Sequence, residues 1–243
     1  MNRPLLKPRN VGMTICHGVK QRWIRLIAAM IATPNLDWFL KELGGGAAGQ
    51  AVPGSKEYYI QLEEVVKKIP VGADGVMYHP YLFPGGERGP FVKPTARGSF
   101  TGLTANHRQA HLLRAIYEGV ALSMLDCYRH MPLQPTRIYL SGGGAVSPLW
   151  CQIVADCLGK PVLVPAGSQF GAKGAAINIA LALGIYTSAR SAVKKTVRTS
   201  RRYEPNRTNT HYYDKLYTVY KATYESQMAI WDLRNKLLNS ANV

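Results

Sequence analysis

The residues in this chain best suited to chemistry are a glycine triplet and the serine after it, in Arg137-Ile-Tyr-Leu-Ser-Gly142-Gly143-Gly144-Ala145-Val-Ser147-Pro148. Glycine has no Cβ, so a chain passing through three of them can bend tightly and let a ligand approach the main chain. Ser147 and Pro148 suit the N-cap and first turn of a helix, whose N–H groups would then face that ligand. On these residues alone two readings stand open: a turn that cradles a nucleotide, and a turn that only joins a strand to a helix. His107 and His111 stand four apart, a spacing one metal ion could bridge. The stretch His-Arg-Gln-Ala-His lacks the glutamate of a zinc-protease helix, and no third ligand accompanies it. No metal site is therefore expected.

The elements that must position the triplet follow from apolar spacing. Arg137–Leu140 reads as a strand feeding the glycines, Pro148–Leu158 as the helix after them, and Val162–Val164 as the next strand. Leu112, Leu113, Ile116, Tyr117, Val120, Met124 and Leu125 recur at helical spacing between His107 and His130. Leu216, Val219, Tyr220, Tyr224, Met228 and Trp231 mark one face of a long helix at about 211–238, with Lys215, Lys221 and Arg234 on its outer side. Upstream, Val11–Ile15 reads as a strand, Trp23–Met30 as a helix, and the stretch after Pro34 as a further helix to Leu43, stopped by Gly44-Gly45-Gly46. Ser55–Lys68 reads as a helix, Gly75–Leu82 as a strand and Phe83–Pro90 as a loop. The small residues from Gly171 to Ala180 begin a closely packing helix, where Lys173 is a candidate phosphate ligand or an exposed lysine. Alternating helices and strands without repeats indicate an α/β fold.

Composition narrows the classes. The 243 residues suffice for a sizeable core. No run approaches the roughly 20 apolar residues of a membrane span, and the start does not read as a secretory signal, so a cytoplasmic protein is expected. Cys16, Cys127, Cys151 and Cys157 are scattered and form no C-x-x-C pair, which suits reduced thiols. Lysine and arginine number 30 against 14 acids, a net charge of +16. Much of the excess lies in Arg190, Lys194, Lys195, Arg198, Arg201, Arg202 and Arg207, where Glu204 is the sole acid. That charge raises a polyanion as partner. No RNA-binding aromatic motif, zinc-finger spacing or basic leucine repeat accompanies it, which argues against nucleic acid.

Longer motifs carry a family resemblance. Gly98-Ser-Phe-Thr-Gly102-Leu103, then His111-Leu112, then Ala115-Ile116-Tyr117-Glu118 resembles the second signature of the FGGY carbohydrate kinases. Tyr81-Leu-Phe-Pro-Gly85-Gly86-Glu87-Arg88-Gly-Pro90 resembles the family's glycine-glutamate-arginine loop, with Gly85 as an extra residue. Ser141–Trp150, with Gln152-Ile153, Ala155-Asp156 and Gly159-Lys-Pro161, resembles its adenosine motif. The likeness runs from about Trp23 to the C-terminal helix.

The resemblance implies a lobe of the actin-like ATPase, ribonuclease H-like fold, a mixed sheet flanked by helices. It implies transfer of the ATP γ-phosphoryl group to a hydroxyl of a ketose or polyol, with a weak preference for a ketopentose over glycerol. It assigns Gly142, Gly143, Gly144 and Ala145 to the adenosine pocket, with Ser147 beside the nucleotide or capping its own helix, and Gly86 near the phosphates. Mg²⁺ would be held mainly by ATP phosphates. Residues 1–243 would form one C-terminal nucleotide-binding lobe. The family's Asp-x-Gly-Thr-like phosphate strand and general-base aspartate belong to a first lobe and find no match here; Asp37, Asp74, Asp126 and Asp156 sit in other contexts. The chain alone is therefore expected to be inactive. Two further readings remain: a non-catalytic remnant binding nucleotide or a protein partner, with a homodimer contact through its basic stretch, and a basic nucleic-acid binder.

Overall fold

Fourteen residues of one helix, Gln109–Arg129 (α3), are buried, and the molecule is arranged around it. The structure, a computed structural model, describes residues 1–8, 11–44 and 55–240. Chain order is β1 (Met13–Cys16), β2 (Trp23–Leu26), α1 (Pro34–Glu42), α2 (Lys56–Lys67), β3 (Met77–His79), β4 (Ser99–Thr101), α3, β5 (Ile138–Tyr139), α4 (Pro148–Leu158), β6 (Val162–Pro165), α5 (Phe170–Ala182), α6 (Ala189–Thr196), β7 (Thr199–Tyr203) and α7 (Arg207–Ser240). Short 3₁₀ turns at Ala73–Gly75 and Gly143–Ala145 complete it.

α3 packs on β3, α4, α2, α7 and α1, and its apolar residues join theirs in one core. The expected mixed sheet is three-stranded, in the order β5-β6-β7, with β5 parallel and β7 antiparallel to β6. α4 lies against β6 and β7. The pairs β1-β2 and β3-β4 are separate antiparallel ribbons. Among the described residues no helix is long and apolar enough to cross a membrane.

α7 spans Arg207–Ser240, longer at both ends than its periodicity predicts. It buries Tyr213, Tyr217, Tyr220, Tyr224 and Trp231, whereas Val219 faces outward. The inner face is thus a tyrosine stripe, because each hydroxyl finds a buried partner: Tyr213 donates to Glu118 at 2.9 Å and Tyr217 to Asp126 at 2.6 Å.

The segment from Trp23 is a strand, not the helix its apolar run suggests. Trp23 and Arg25 turn inward in alternation, and the Arg25 guanidinium donates to the carbonyls of Leu5, Pro8 and Val11 and to Thr14. An inward arginine with four acceptors fits the period of two better than the helical one. Gly45 and Gly46 of the expected helix stop lie outside the described residues. β7 was hidden in the basic run: Arg202 pairs with Glu204, while Arg201 turns inward to the glycine turn.

Candidate functional site

The strand β5 is short, and Leu140 extends its pairing by donating to Leu163 O at 2.9 Å. Beyond it Gly142 takes φ 91° and ψ −164°, a conformation effectively reserved for glycine. The next residues close a 3₁₀ turn, with Ala145 N–H donating to Gly142 O and Val146 N–H to Gly143 O, both at 3.1 Å. A Cβ on Gly143 would stand 3.3 Å from Thr33 Oγ1, so this glycine keeps the turn close to the start of α1. Two carbonyls of the turn are held by a side chain of β7, which lines the same cavity: Arg201 donates to Ala145 O at 2.6 Å and to Val146 O at 3.3 Å.

Ser147 caps α4, its Oγ accepting from Trp150 N–H at 3.0 Å. Leu149 N–H donates to Glu63 Oε2 at 3.4 Å. These two N–H groups are therefore already satisfied from within the chain and are not open donors for an anion. What the turn offers a ligand instead is a wall. Gly143, Val146 and Ser147 line one side of a cavity of about 850 Å³, and Tyr59, Ile60 and Glu63 of α2 line the other. Tyr117 and Trp150 form its back, their rings 4.5 Å apart and the indole N–H donating to Tyr117 O at 3.1 Å. This volume lies within the range of about 300–1,000 Å³ typical of small-molecule sites.

Of the residues expected at a nucleotide, Gly143 and Ser147 line this cavity directly, and Gly142, Gly144 and Ala145 complete the turn behind them. Gly86 stands elsewhere. It is buried at φ 75°, where a Cβ would fall 2.1 Å from Lys93 O, so the close passage of its own loop accounts for it. Its neighbour Glu87 is buried and accepts from the N–H groups of Met30, Arg88 and Gly89. Burial pushes this carboxyl up against those hydrogen bonds, and the contact ties the loop to the segment leading to Thr33. Arg88 is exposed.

The remaining titratable candidates are occupied. His107 and His111 accept from the N–H groups of Thr104 and Arg108 and reach Asp74 with their other nitrogens. Glu118 accepts from Gly72 N–H, Arg114 and Tyr213. Asp156 binds Gln152, Asn206 and Asn209, fixing α4 to the start of α7. Lys173 Nζ lies 3.4 Å from Thr196 O and 3.5 Å from Ala166 O. Among the described residues no group of three histidine, cysteine or acidic side chains converges to hold a metal ion.

Sequence reasoning missed α2 and Arg201 as parts of the site. Tyr59, Ile60 and Glu63 share a helix face, which was a readable signal, but only the tertiary fold shows what that face opposes. Arg201 read as one more charge in a basic run.

Known proteins resemble this chain in sequence and fold. An erythritol kinase of Brucella abortus is 31% identical over 206 residues, which cover 84% of this chain and 39% of the relative. A xylulose kinase of Bacillus subtilis is 30% identical over 211 residues, covering 86% and 40%. The ligand-bound xylulose kinase of Lactobacillus acidophilus superposes with a TM-score of 0.82 at 22% identity, over 95% of this chain and 45% of that one. That of Rhodospirillum rubrum gives 0.71 at 30% identity, over 84% and 40%. The chain thus spans less than half the length of these relatives. Its fold is the actin-like ATPase fold of the sugar kinases. Residues 19–183 match the C-terminal domain of the FGGY carbohydrate kinases, and the chain belongs to that family.

Proposed function

We propose that the chain is the nucleotide-binding lobe of an ATP-dependent sugar kinase, with ATP seated between α2 and the turn Gly142–Ser147. The observation that carries this reading is the cavity itself, of nucleotide size and walled by the glycine turn. The acceptor is a hydroxyl of a ketose or polyol, in keeping with relatives named xylulose kinase and erythritol kinase. Mg²⁺ enters on the triphosphate, held by phosphate oxygens and water.

Phosphoryl transfer rests on positioning and on stabilising charge around the transferred group. The residues of this chain bind and orient the nucleotide: the turn abuts the ribose and its phosphates, and Tyr59, Ile60, Tyr117 and Trp150 enclose the base. Asp126 and Asp156 are committed to internal hydrogen bonds, so neither serves as general base. We therefore infer that the 243 residues alone bind ATP without turning over.

Titration calorimetry of the chain with ATP tests the binding, and phosphate release with a panel of pentuloses and polyols tests the inactivity. Saturable ATP binding with no sugar-dependent release is expected. Absence of binding at millimolar ATP would overturn the site, and sugar-dependent turnover by the pure chain would overturn the inactivity.

A further inference from the structure

We propose that Arg201 is a phosphate ligand as well as a brace for the turn, its remaining N–H donors meeting the phosphate chain of the nucleotide. This rests on the nucleotide reading of the cavity and adds a binding residue to it. Arg201 is half-buried and lines the cavity, with Nη1 donating to Val146 O and Nη2 to Ala145 O. A guanidinium has more N–H donors than these two carbonyls and the neighbouring Tyr203 hydroxyl can use. The donors left over stand beside the turn that the nucleotide abuts.

The balance of charge around the cavity singles this residue out. Among the described residues the charged side chains lining it are Asp37, Glu63, Glu64, Lys67 and Arg201. Lys67 is taken by Glu64 at 2.6 Å. Glu63 accepts from Leu149 N–H at the start of α4, and Asp37 lies in the first turn of α1, so a helix N-terminus offsets each of these carboxylates. Arg201 bonds only neutral oxygens: the nearby acid, Glu204, pairs with Arg202, and among the described residues no carboxylate pairs with Arg201. An arginine fork without a counter-ion at a cavity wall suits a phosphate group.

The two roles of Arg201 separate by ligand. A brace acts on every ligand that touches the turn, with or without phosphate. A phosphate ligand acts only on those that carry phosphate.

The test is calorimetric binding of adenosine and of ADP, in magnesium-free buffer, to the full chain and to Arg201→Gln. The readout is the ratio of the two dissociation constants, in which a loosened turn weakens both ligands and cancels, while a lost phosphate contact does not. The native chain is expected to favour ADP by about tenfold or more, the scale of one hydrogen bond to a charged group. Arg201→Gln, whose amide can still donate to a carbonyl of the turn, is expected to bring the two ligands within about threefold. If the variant binds both and keeps the native ratio, Arg201 serves the turn alone, and the proposal fails while the nucleotide site stands. A native chain that binds adenosine and ADP equally defeats the proposal without any variant, so the test does not depend on the variant folding. If the native chain binds neither ligand, the site reading itself fails and the proposal falls with it.

Discussion

Gly142 and Gly144 sit two residues apart and should respond differently to the same substitution. At Gly142 nothing lies within 4 Å of a would-be Cβ, so space is no obstacle, but φ 91° with ψ −164° is closed to L-residues. Gly142→Ala must either hold that strain, of order 1–3 kcal/mol, or move the turn. At Gly144 a Cβ would meet Thr33 and Trp150 at 3.6 Å or more, ordinary contact. Gly144→Ala is expected to leave both the urea midpoint and ATP affinity near native, while Gly142→Ala lowers both. Equal behaviour of the two variants would mean that backbone conformation does not shape the site. Arg201 offers a second test, since its fork satisfies two carbonyls of the turn from outside the glycine motif. Arg201→Lys keeps the charge and loses the paired geometry. ATP affinity measured by calorimetry should fall several-fold while the circular dichroism spectrum is unchanged, and an unaltered affinity would remove Arg201 from the site.

Between elements, buried polar groups do the fixing, and two of them predict measurable behaviour. Glu118 on α3 joins Gly72, Arg114 and Tyr213 of α7. Glu118→Ala would leave the Arg114 guanidinium buried without its counter-ion, a loss of about 3–5 kcal/mol that denaturant unfolding would register; a loss below about 1 kcal/mol would show that water replaces the carboxylate. His79 on β3 stacks on Tyr220 and donates to its carbonyl at 3.0 Å, while its Nδ1 is buried without a partner. Burial outweighs that backbone hydrogen bond and pushes the imidazole down to about 4 from its ordinary 6.5. Between those values the unfolded chain takes up a proton that the folded chain refuses, so this histidine's stability contribution is present above pH 6.5 and is lost as pH falls toward 4. The full effect is on the order of 3 kcal/mol. The difference in unfolding free energy between the native chain and His79→Gln should shrink from pH 7.5 to pH 5, and a constant difference would contradict it. Of this pairing only Arg114 with Glu118, four apart on one helix, is visible in sequence; His79, Gly72 and the tyrosines of α7 are single letters far apart. The helices α3, α4 and α7 were legible because their apolar residues repeat over many turns, and the glycine turn because Ser147 and Pro148 mark the helix start after it. β2 was not, since an eight-residue apolar run fits either period until Arg25 finds its carbonyls. β7 and the α2 wall of the cavity became visible only through what they oppose.

Across the whole molecule the most unbalanced part is α5. Its sequence Phe-Gly-Ala-Lys-Gly-Ala-Ala-Ile-Asn-Ile-Ala-Leu-Ala is apolar but for Lys173 and Asn178 and has no polar face, yet none of its residues is buried. Ile179 is 60% exposed, and the residues just beyond it, Leu183 and Ile185, are 71% and 66% exposed. Gly18, at the tip of the β1-β2 ribbon, lies against Asn178 of the same helix, and the ribbon exposes Met13, Ile15, Ile24 and Leu26. A helix that is hydrophobic all round normally stands inside a structure, and adjoining exposed apolar groups on this scale favour association. The isolated chain should therefore bind a hydrophobic dye and show a mass that rises with concentration in light scattering. Because α5 contributes no buried side chain, Ile179→Asp with Leu183→Asp removes apolar surface at little expense to the core. The double variant is expected to keep the native urea midpoint within about 1 kcal/mol, as surface changes generally do, while dye binding falls and the mass settles at that of a monomer. Were the variant instead to unfold, α5 would be supporting the core in solution; were the native chain monomeric and dye-silent at high concentration, the exposed face would be covered by a rearrangement of the ribbon and α5 upon each other.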